Sequence, residues 1–575
     1  ANQAPVATFA MPVSALRFEQ RVDVQARNFA EGKADVSVRG GLFENTGFRV
    51  GALSLFDPQT GHYFAELPIA PAMLGAPSVV VGADLAANGL NATTGLVAYP
   101  WRRIRNTGAA AVGGGEFGLV QGEFYQGYTT AADTVGRSVA ADVAWAHSEA
   151  DGALPYGDHV LDRVNGRLQL ATASSQTDLF AGYQAKFFGW PNLYTPFNSN
   201  ETEDLETVLF ALNHRVDFGA GDFVEGGAYY RRNKDDYAFN RFAPIGPVRP
   251  FNHTTWVRGA AVGGRQTIGD IAWNFRLEAL ADRIRSTSLV FGPYRTRVLS
   301  KATLLPEKTW ALADGADLTI KAGASYDHSN RDNGQASPII ELARTRRSGP
   351  WERLYFSYAQ TTQVPTYTAL KSNPAAGLFR GNATLGRETS RNVELGASAN
   401  LLGWRAQAAL FHRRDDDLVD WTFRRGVTAR SANVVDIHTS GFEVVAHRAW
   451  KPLDVVLGYT WLAKDEDYRT AAVDASFYAL NYARHRVTFA VTARLSRQFE
   501  VRFDNEVRFE APNLLRTRGG ERPLISSLGL AYRPAAWRKL TISVQADNLW
   551  DSDFQEVPAV PAAPRQVSGR VAYEW

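Results

Sequence analysis

Glu201, Glu203, Asp204 and Glu206 place four carboxylates within six residues. Such a density of hard oxygen donors suits a loop Ca2+, although a solvated acidic loop accounts for it more simply. Asp415, Asp416 and Asp417 read the same way. His62, His253, His328 and His438 have the chemistry to meet haem iron or a metal, but histidines scattered this widely are more simply surface residues. Gly113-Gly114-Gly115-Glu116-Phe117-Gly118 fits G-x-G-x-x-G. No helical pattern follows it, so it reads as a turn where the first 108 residues meet the rest, not as a dinucleotide site. No Ser-His-Asp or paired-carboxylate arrangement can be assigned, so no catalytic residue is named. The chain has no Cys, which excludes a thiolate metal site and a disulfide scaffold. No metal and no cofactor beyond that loop Ca2+ is expected. The aromatic run Phe187 to Phe197 is the best candidate for gripping a small-molecule ligand, through Trp190, Tyr194 and Phe197. Rigid aromatic side chains give contact area at low entropic cost. A loop folded on itself or on a neighbour is the alternative.

The elements that must position these residues are strands. In Phe499 to Glu510, Phe499, Val501, Phe503, Val507 and Phe509 share one face, while Glu500, Arg502, Asp504, Glu506, Arg508 and Glu510 share the other. Six charges on one strand face do not fit a dry core. Either the sheet has one exposed face, or apolar residues face lipid and charged residues line a wet lumen. The same alternation runs through 271–279, 318–327, 392–401, 540–547 and the terminal 567–575, which ends on Trp575. Each run is close to the ~9–11 residues that a tilted strand needs to cross a bilayer. In hydrocarbon every backbone polar group must be paired, so such strands must close into a barrel.

Composition agrees. No apolar run reaches the ~18 residues of a membrane helix, and mean hydropathy is −0.25. The 14 Trp, 21 Tyr and 32 Phe suffice for two interfacial girdles. A net charge of +3 gives no reason to expect nucleic acid. No signal peptide is visible, and Ala1 reads as the start of a mature or trimmed chain. Residues 1–108 are rich in Ala, Gly, Val and Pro, with few long alternating runs. From 109 to 575 the chain reads as strand, turn, strand. Gly219-Ala220-Gly221-Asp222 and Asp314-Gly315-Ala316-Asp317 are short turns at one end. Longer excursions at 187–206, 233–256, 326–350, 363–388, 414–438, 463–482 and 510–524 mark the other, the asymmetry of an outer-membrane barrel.

Over nearly its full length the chain resembles the TonB-dependent outer-membrane receptors. Asp35-Val36-Ser37-Val38-Arg39-Gly40-Gly41, Phe56-Asp57-Pro58-Gln59-Thr60-Gly61-His62 and Gly89 to Val97 are similar to successive segments of that family's plug. Tyr358 to Tyr367, Asn382 to Glu388 leading into Asn392-Val393-Glu394-Leu395-Gly396, Asp547-Asn548-Leu549-Trp550-Asp551 and Trp575 resemble its barrel motifs. The resemblance implies an all-β membrane fold: a 22-stranded antiparallel transmembrane β-barrel (109–575) with an N-terminal α+β plug (1–108) in its lumen. It implies uptake of a scarce, bulky nutrient, such as a ferric chelate carried by a siderophore, cobalamin, haem or a glycan. The implied partners are TonB of an inner-membrane complex, outer-membrane lipid and the ligand, with a lipoprotein or other outer-membrane protein left open. No enzymatic chemistry is implied, and the implied location is the bacterial cell outer membrane.

The resemblance also implies a buried plug–barrel lock, matched at Arg39, Glu388 and Glu394. The second plug arginine of the family falls on Gly82, the aspartate before the plug glycine on Val50, and further charged positions on Ala76, Pro77 and Val79. Pro5-Val6-Ala7-Thr8-Phe9 is a weak match to the box that TonB pulls. These departures motivate an alternative: a plugged barrel serving as a structural or interaction component of an outer-membrane assembly, with transport reduced or lost. A passive pore is the third reading, and it leaves residues 1–108 without a purpose.

Overall fold

In the computed structural model, residues 11–27, 33–243, 249–292, 294–346 and 348–575 are described. Pro5 to Phe9 lies outside them. From Thr107–Gly115 to Gln566–Glu574 the chain forms a closed barrel of 22 long strands, each antiparallel to its sequence neighbours. The last strand pairs with the first, from Ser568 opposite Gly115 to Glu574 opposite Ala109, so no edge is left. Two short pieces, Phe379–Arg380 and Ala475–Ser476, pair at its loop end. Strand lengths run from 8 residues at Leu540–Asp547 to 20 at Asn200–Gly219, Trp404–Phe423 and Arg430–Ala449. The long ones exceed what a bilayer needs. The barrel is therefore taller on one side.

The alternation sorts faces as the sequence requires. Leu277 and Leu395 are exposed on the outside, while Arg276, Glu278 and Glu394 are buried. Trp575 donates from Nε1 to Gln126 Oε1 at 2.8 Å beside Tyr573 and Phe124. The expectation of a wet lumen needs correction. Asp504, Glu506, Arg508 and Glu510 are buried, because the N-terminal segment packs against them. Arg508 pairs with Asp23 at 2.6 Å and with Glu510 at 2.5 Å, and Arg486 pairs with Glu506 at 2.7 Å. Opposite charge stands in for water.

Inside the barrel, β1 (Val22–Arg27) and β2 (Lys33–Val38) form a hairpin. β3 (Thr46–Val50), β4 (Leu53–Leu55), β5 (Ser78–Val80) and β6 (Gly95–Tyr99) form a sheet in the order β4-β3-β6-β5, with β3 and β6 parallel. Helix α1 spans Gly82–Asn88. Val36, Phe48, Val50, Leu67, Ile69 and Val97 share one apolar cluster with Leu161, Phe180, Leu209, Val257 and Leu299 of the barrel wall. The two parts thus have a common core.

Three sequence readings are corrected here. Residues 326–350 are not a long excursion: a tight turn at Asn330–Arg331 joins the strands Ala316–Ser329 and Asp332–Arg346. The polar residues and Pro338 suggested a loop, but a strand with one polar face tolerates that composition. Of Gly113 to Gly118, the three leading glycines end the strand Thr107–Gly115 and only Glu116 to Gly118 form a turn, which closes the first hairpin with Val120–Thr129 at the end opposite the junction. The excursion 414–438 is largely strand, with only 424–429 between Trp404–Phe423 and Arg430–Ala449. Connections at 151–158, 287–295 and 548–565 had no counterpart in the sequence reading.

Candidate functional site

Arg39, just after β2, lies between two barrel carboxylates. Its Nη1 donates to Glu394 Oε2 at 2.6 Å, its Nη2 to Glu443 Oε1 at 2.6 Å, and its Nε to Glu443 Oε2 at 3.0 Å. Burial opposes the charge on Arg39, but Glu443 and Glu394 outweigh it and raise the guanidinium above its ordinary range. Glu388 is elsewhere. It accepts from Asn45 Nδ2 at 3.1 Å and does not bond to Arg39. Its place is taken by Glu443, which the sequence reading missed. The signal for it was one acidic residue on the inward row of an otherwise apolar stretch, Phe442-Glu443-Val444-Val445.

At Gly82, where the family's second arginine falls, the backbone stands against Glu394. A Cβ there would stand 3.0 Å from Glu394 Oε2, and its φ is +59°, so the backbone itself fills the space. Glu394 is satisfied instead by Tyr355 Oη at 2.5 Å and Asn392 Nδ2 at 3.3 Å. Arg21 borders the same small cavity beside Arg39 and Glu443.

At the other end, the long loops surround a cavity of about 760 Å³ over the N-terminal segment. Its floor is Gln59, Thr60, His62 and Tyr63. Its walls include Tyr194, Tyr237, Phe251, Phe379 and Trp421. These rings form a continuous aromatic wall: centroids are 5.7 Å apart for Tyr194–Tyr237, 5.5 Å for Tyr237–Phe251, 6.1 Å for Phe251–Phe379 and 6.0 Å for Phe379–Trp421. At the floor, the Tyr63 and Tyr194 hydroxyls both donate to Glu203. Lys33 Nζ lies 4.6 Å from one ring and 4.9 Å from the other. Burial lowers Lys33, with Glu203 and Asp35 opposing. His62 stacks on Phe43 at 4.2 Å and its Nδ1 hydrogen-bonds to Asp35 Oδ1 at 2.8 Å. Burial pushes it down to about 3 despite Asp35. Gln59 Oε1, Asp235 Oδ1 and His253 Nδ1 are buried at this cavity without a hydrogen-bond partner among the described residues. Buried polar atoms are normally paired, so unmet hydrogen-bonding capacity lies just beneath the cavity lining.

The model of the TonB dependent receptor-like β-barrel family matches residues 88–549. The chain belongs to the TonB-dependent receptors. It is a bacterial outer-membrane protein. No curated protein sequence matches this receptor. Among solved structures it is similar to the copper transporter OprC, with 14% identity, a TM-score of 0.77 and coverage of 100% of this chain and 97% of that one. It is similar to the FrpB iron transporter (F3-3 variant) of Neisseria meningitidis, with 12% identity, a TM-score of 0.75 and full coverage of both chains. It is also similar to the siderophore receptor PirA of Acinetobacter baumannii, with 13% identity, a TM-score of 0.71 and coverage of 96% and 94%. At such identities the likeness shows the fold alone.

Of the aromatic residues singled out in the receptor's sequence, only Tyr194 lines the cavity. Trp190 is fully buried, and its Nε1 donates to Pro561 O at 2.8 Å, which anchors the 548–565 connection. Phe197 is half-buried and away from the cavity. The acidic run is not a solvated loop. It lies on the strand Asn200–Gly219, with Glu201 and Glu203 pointing inward and Asp204 and Glu206 outward. Asp415, Asp416 and Asp417 pair with Arg413, Arg414 and Arg469 respectively. Among the described residues no group of three His, Cys, Asp or Glu side chains is arranged to hold a metal ion. His62 and His253 meet at the cavity, while His328 and His438 are exposed. Tyr237, Phe251, Phe379 and Trp421 were missed. They come from four separate segments, and only barrel closure brings them together.

Proposed function

We propose that this receptor captures a compact, partly aromatic or apolar solute in the cavity above residues 59–63 and imports it past an N-terminal plug, residues 1–108, energised by TonB. One observation carries the reading. The cavity floor belongs to the N-terminal segment and its walls to the barrel and loops, so an occupant touches both parts and its arrival can be felt by the plug. Its volume lies within the ~300–1,000 Å³ of ordinary small-molecule sites, which combine apolar walls with a few placed polar groups. Tyr194 and Tyr237 are the residues assigned to ligand contact. Arg39 with Glu394 and Glu443 is the lock that must yield. A ferric chelate, haem, cobalamin or a glycan are the classes considered. OprC is a copper transporter, FrpB an iron transporter and PirA a siderophore receptor, and these neighbours favour metal-linked cargo. The alternative of a structural component rested on a lock short of one arginine and on the weak box match at Pro5 to Phe9; Tyr355 and Asn392 offset the first, while the second lies outside the described residues.

Mass spectrometry and metal analysis of the receptor purified from its native membrane test this. A small solute that is lost on Trp421→Ala supports the proposal. A stoichiometric protein partner with no small molecule would overturn it.

A further inference from the structure

A second cavity, of about 560 Å³, lies behind the first. The wall between them is the segment around the short helix Tyr367–Lys371: Thr368, Ser372 and Asn373 face the first cavity, and Leu370, Lys371, Ser372 and Pro374 the second. Val290 N bonds to Lys371 O at 2.7 Å and fixes this wall to the 287–295 connection.

The second cavity is lined by Arg297, Arg331 and Lys371 with one acid, Asp332. Asp332 is already engaged, by Arg387 at 3.2 Å and by Asn333 N at 2.7 Å. Arg297 is almost fully buried. Its Nε holds Asp282 at 3.1 Å and its Nη1 holds Pro365 O at 2.6 Å. Its Nη2 has no hydrogen-bond partner among the described residues. Lys371 is buried too, and its Nζ lies 4.3 Å from the centre of the Tyr294 ring, which Arg331 also approaches, at 4.7 Å. Among the described residues neither Lys371 nor Arg331 has a carboxylate within ion-pair reach. Burial, and after it the neighbouring Arg297, lower the Lys371 ammonium. Lys371 and Arg331 thus bring two cations without a paired carboxylate to one solvent-reachable space, backed by the unpaired Nη2 of a buried guanidinium, and a desolvated cation is costly unless something negative meets it.

We propose that this second cavity is a binding site for a small oxyanion, a carboxylate or phosphate group, held by Lys371 Nζ with Arg331 at the mouth and the unpaired Nη2 of Arg297 behind them. The site is distinct from the aromatic cavity and takes a different chemistry: charge-assisted hydrogen bonds in place of ring contacts. Because the two share the Tyr367–Lys371 wall, an anion bound behind it stiffens one side of the aromatic cavity.

The test uses the full chain in detergent, titrated calorimetrically with inorganic phosphate and, separately, with citrate at low ionic strength. Saturable binding of at least one of these anions is expected. Lys371→Met should weaken it at least tenfold and Lys371→Arg should retain it, with Phe197→Ala as a neutral control. The folded state of each variant is checked by its heat-modifiable migration. No saturable binding of either anion to the wild-type chain overturns the proposal, as does a folded Lys371→Met that binds as the wild type does. Neither result bears on the occupant of the aromatic cavity, which Trp421→Ala probes.

Discussion

Replacing Arg39 by Met removes the only guanidinium that, among the described residues, bonds Glu394 and Glu443 together, while keeping an unbranched apolar stem. In the folded receptor Arg39 makes four hydrogen bonds to these two carboxylates, and all three groups are buried. Removing one partner of a buried ion pair costs about 3–5 kcal/mol, because the remaining charge stays desolvated. Tyr355 and Asn392 continue to satisfy Glu394, and Arg21 stands near Glu443, which argues for the lower end, about 3 kcal/mol. For a segment of this size, with a urea dependence of about 1–2 kcal/mol per molar, unfolding inside the barrel should move down by roughly 1.5–3 M urea. The assay is conductance across a planar bilayer, where loss of the packed N-terminal segment opens the barrel. Arg39→Met should conduct at lower urea than the wild type. Arg39→Met with Glu394→Gln and Glu443→Gln removes both stranded charges and should recover part of the difference. An unchanged urea onset for Arg39→Met would show that this lock does not hold the segment in place. A triple variant no better than the single one would show that stranded charge is not the cost.

Further outcomes follow from other parts of the molecule. Burial pushes Glu44 up to about 8 from 4.5. The folded state therefore holds a proton that the unfolded state has lost, and this contribution is full below pH 4.5 and disappears as pH rises through about 8. In urea titrations, Glu44→Gln should gain on the wild type as pH climbs across that window, and parallel pH profiles would count against this. Tyr237→Ala and Trp421→Ala should lower whole-cell uptake of the native solute by about tenfold or more, the scale of losing a central aromatic contact, whereas Phe197→Ala should leave it unchanged. A Cβ at position 108 would lie 2.1 Å from the Trp575 ring. Gly108→Ala should therefore reduce the heat-modifiable folded fraction, and adding Trp575→Ala should restore it. No restoration would mean that the closure contact does not set this limit.

The barrel was legible because its physics is two-faced. In Phe499–Glu510 a row of rings against a row of charges admits few solutions, and the same rule gave the faces of Glu388–Leu401 and Gln566–Glu574. What periodicity does not encode is where strand ends and loop begins. Above the bilayer a strand can be polar on both faces, so Trp404–Phe423 continues through Asp415–Asp417, and the polar stretch from Asp332 forms a strand. The lock was half legible. Arg39 and Glu394 stood in recognisable runs, but Glu443, 404 residues from Arg39 in sequence, becomes a partner only when the strands close into a ring. The aromatic cavity was the least legible, since Tyr237, Phe251, Phe379 and Trp421 share no local pattern. Trp190, prominent in its run, proved to be an anchor whose indole bonds to Pro561.

Energised import is tested most directly by uptake of the native solute into whole cells, before and after the proton gradient is collapsed with a protonophore. Saturable uptake that stops when the gradient is lost, with surface binding preserved, is the predicted result. Uptake that continues undiminished without the gradient would contradict it.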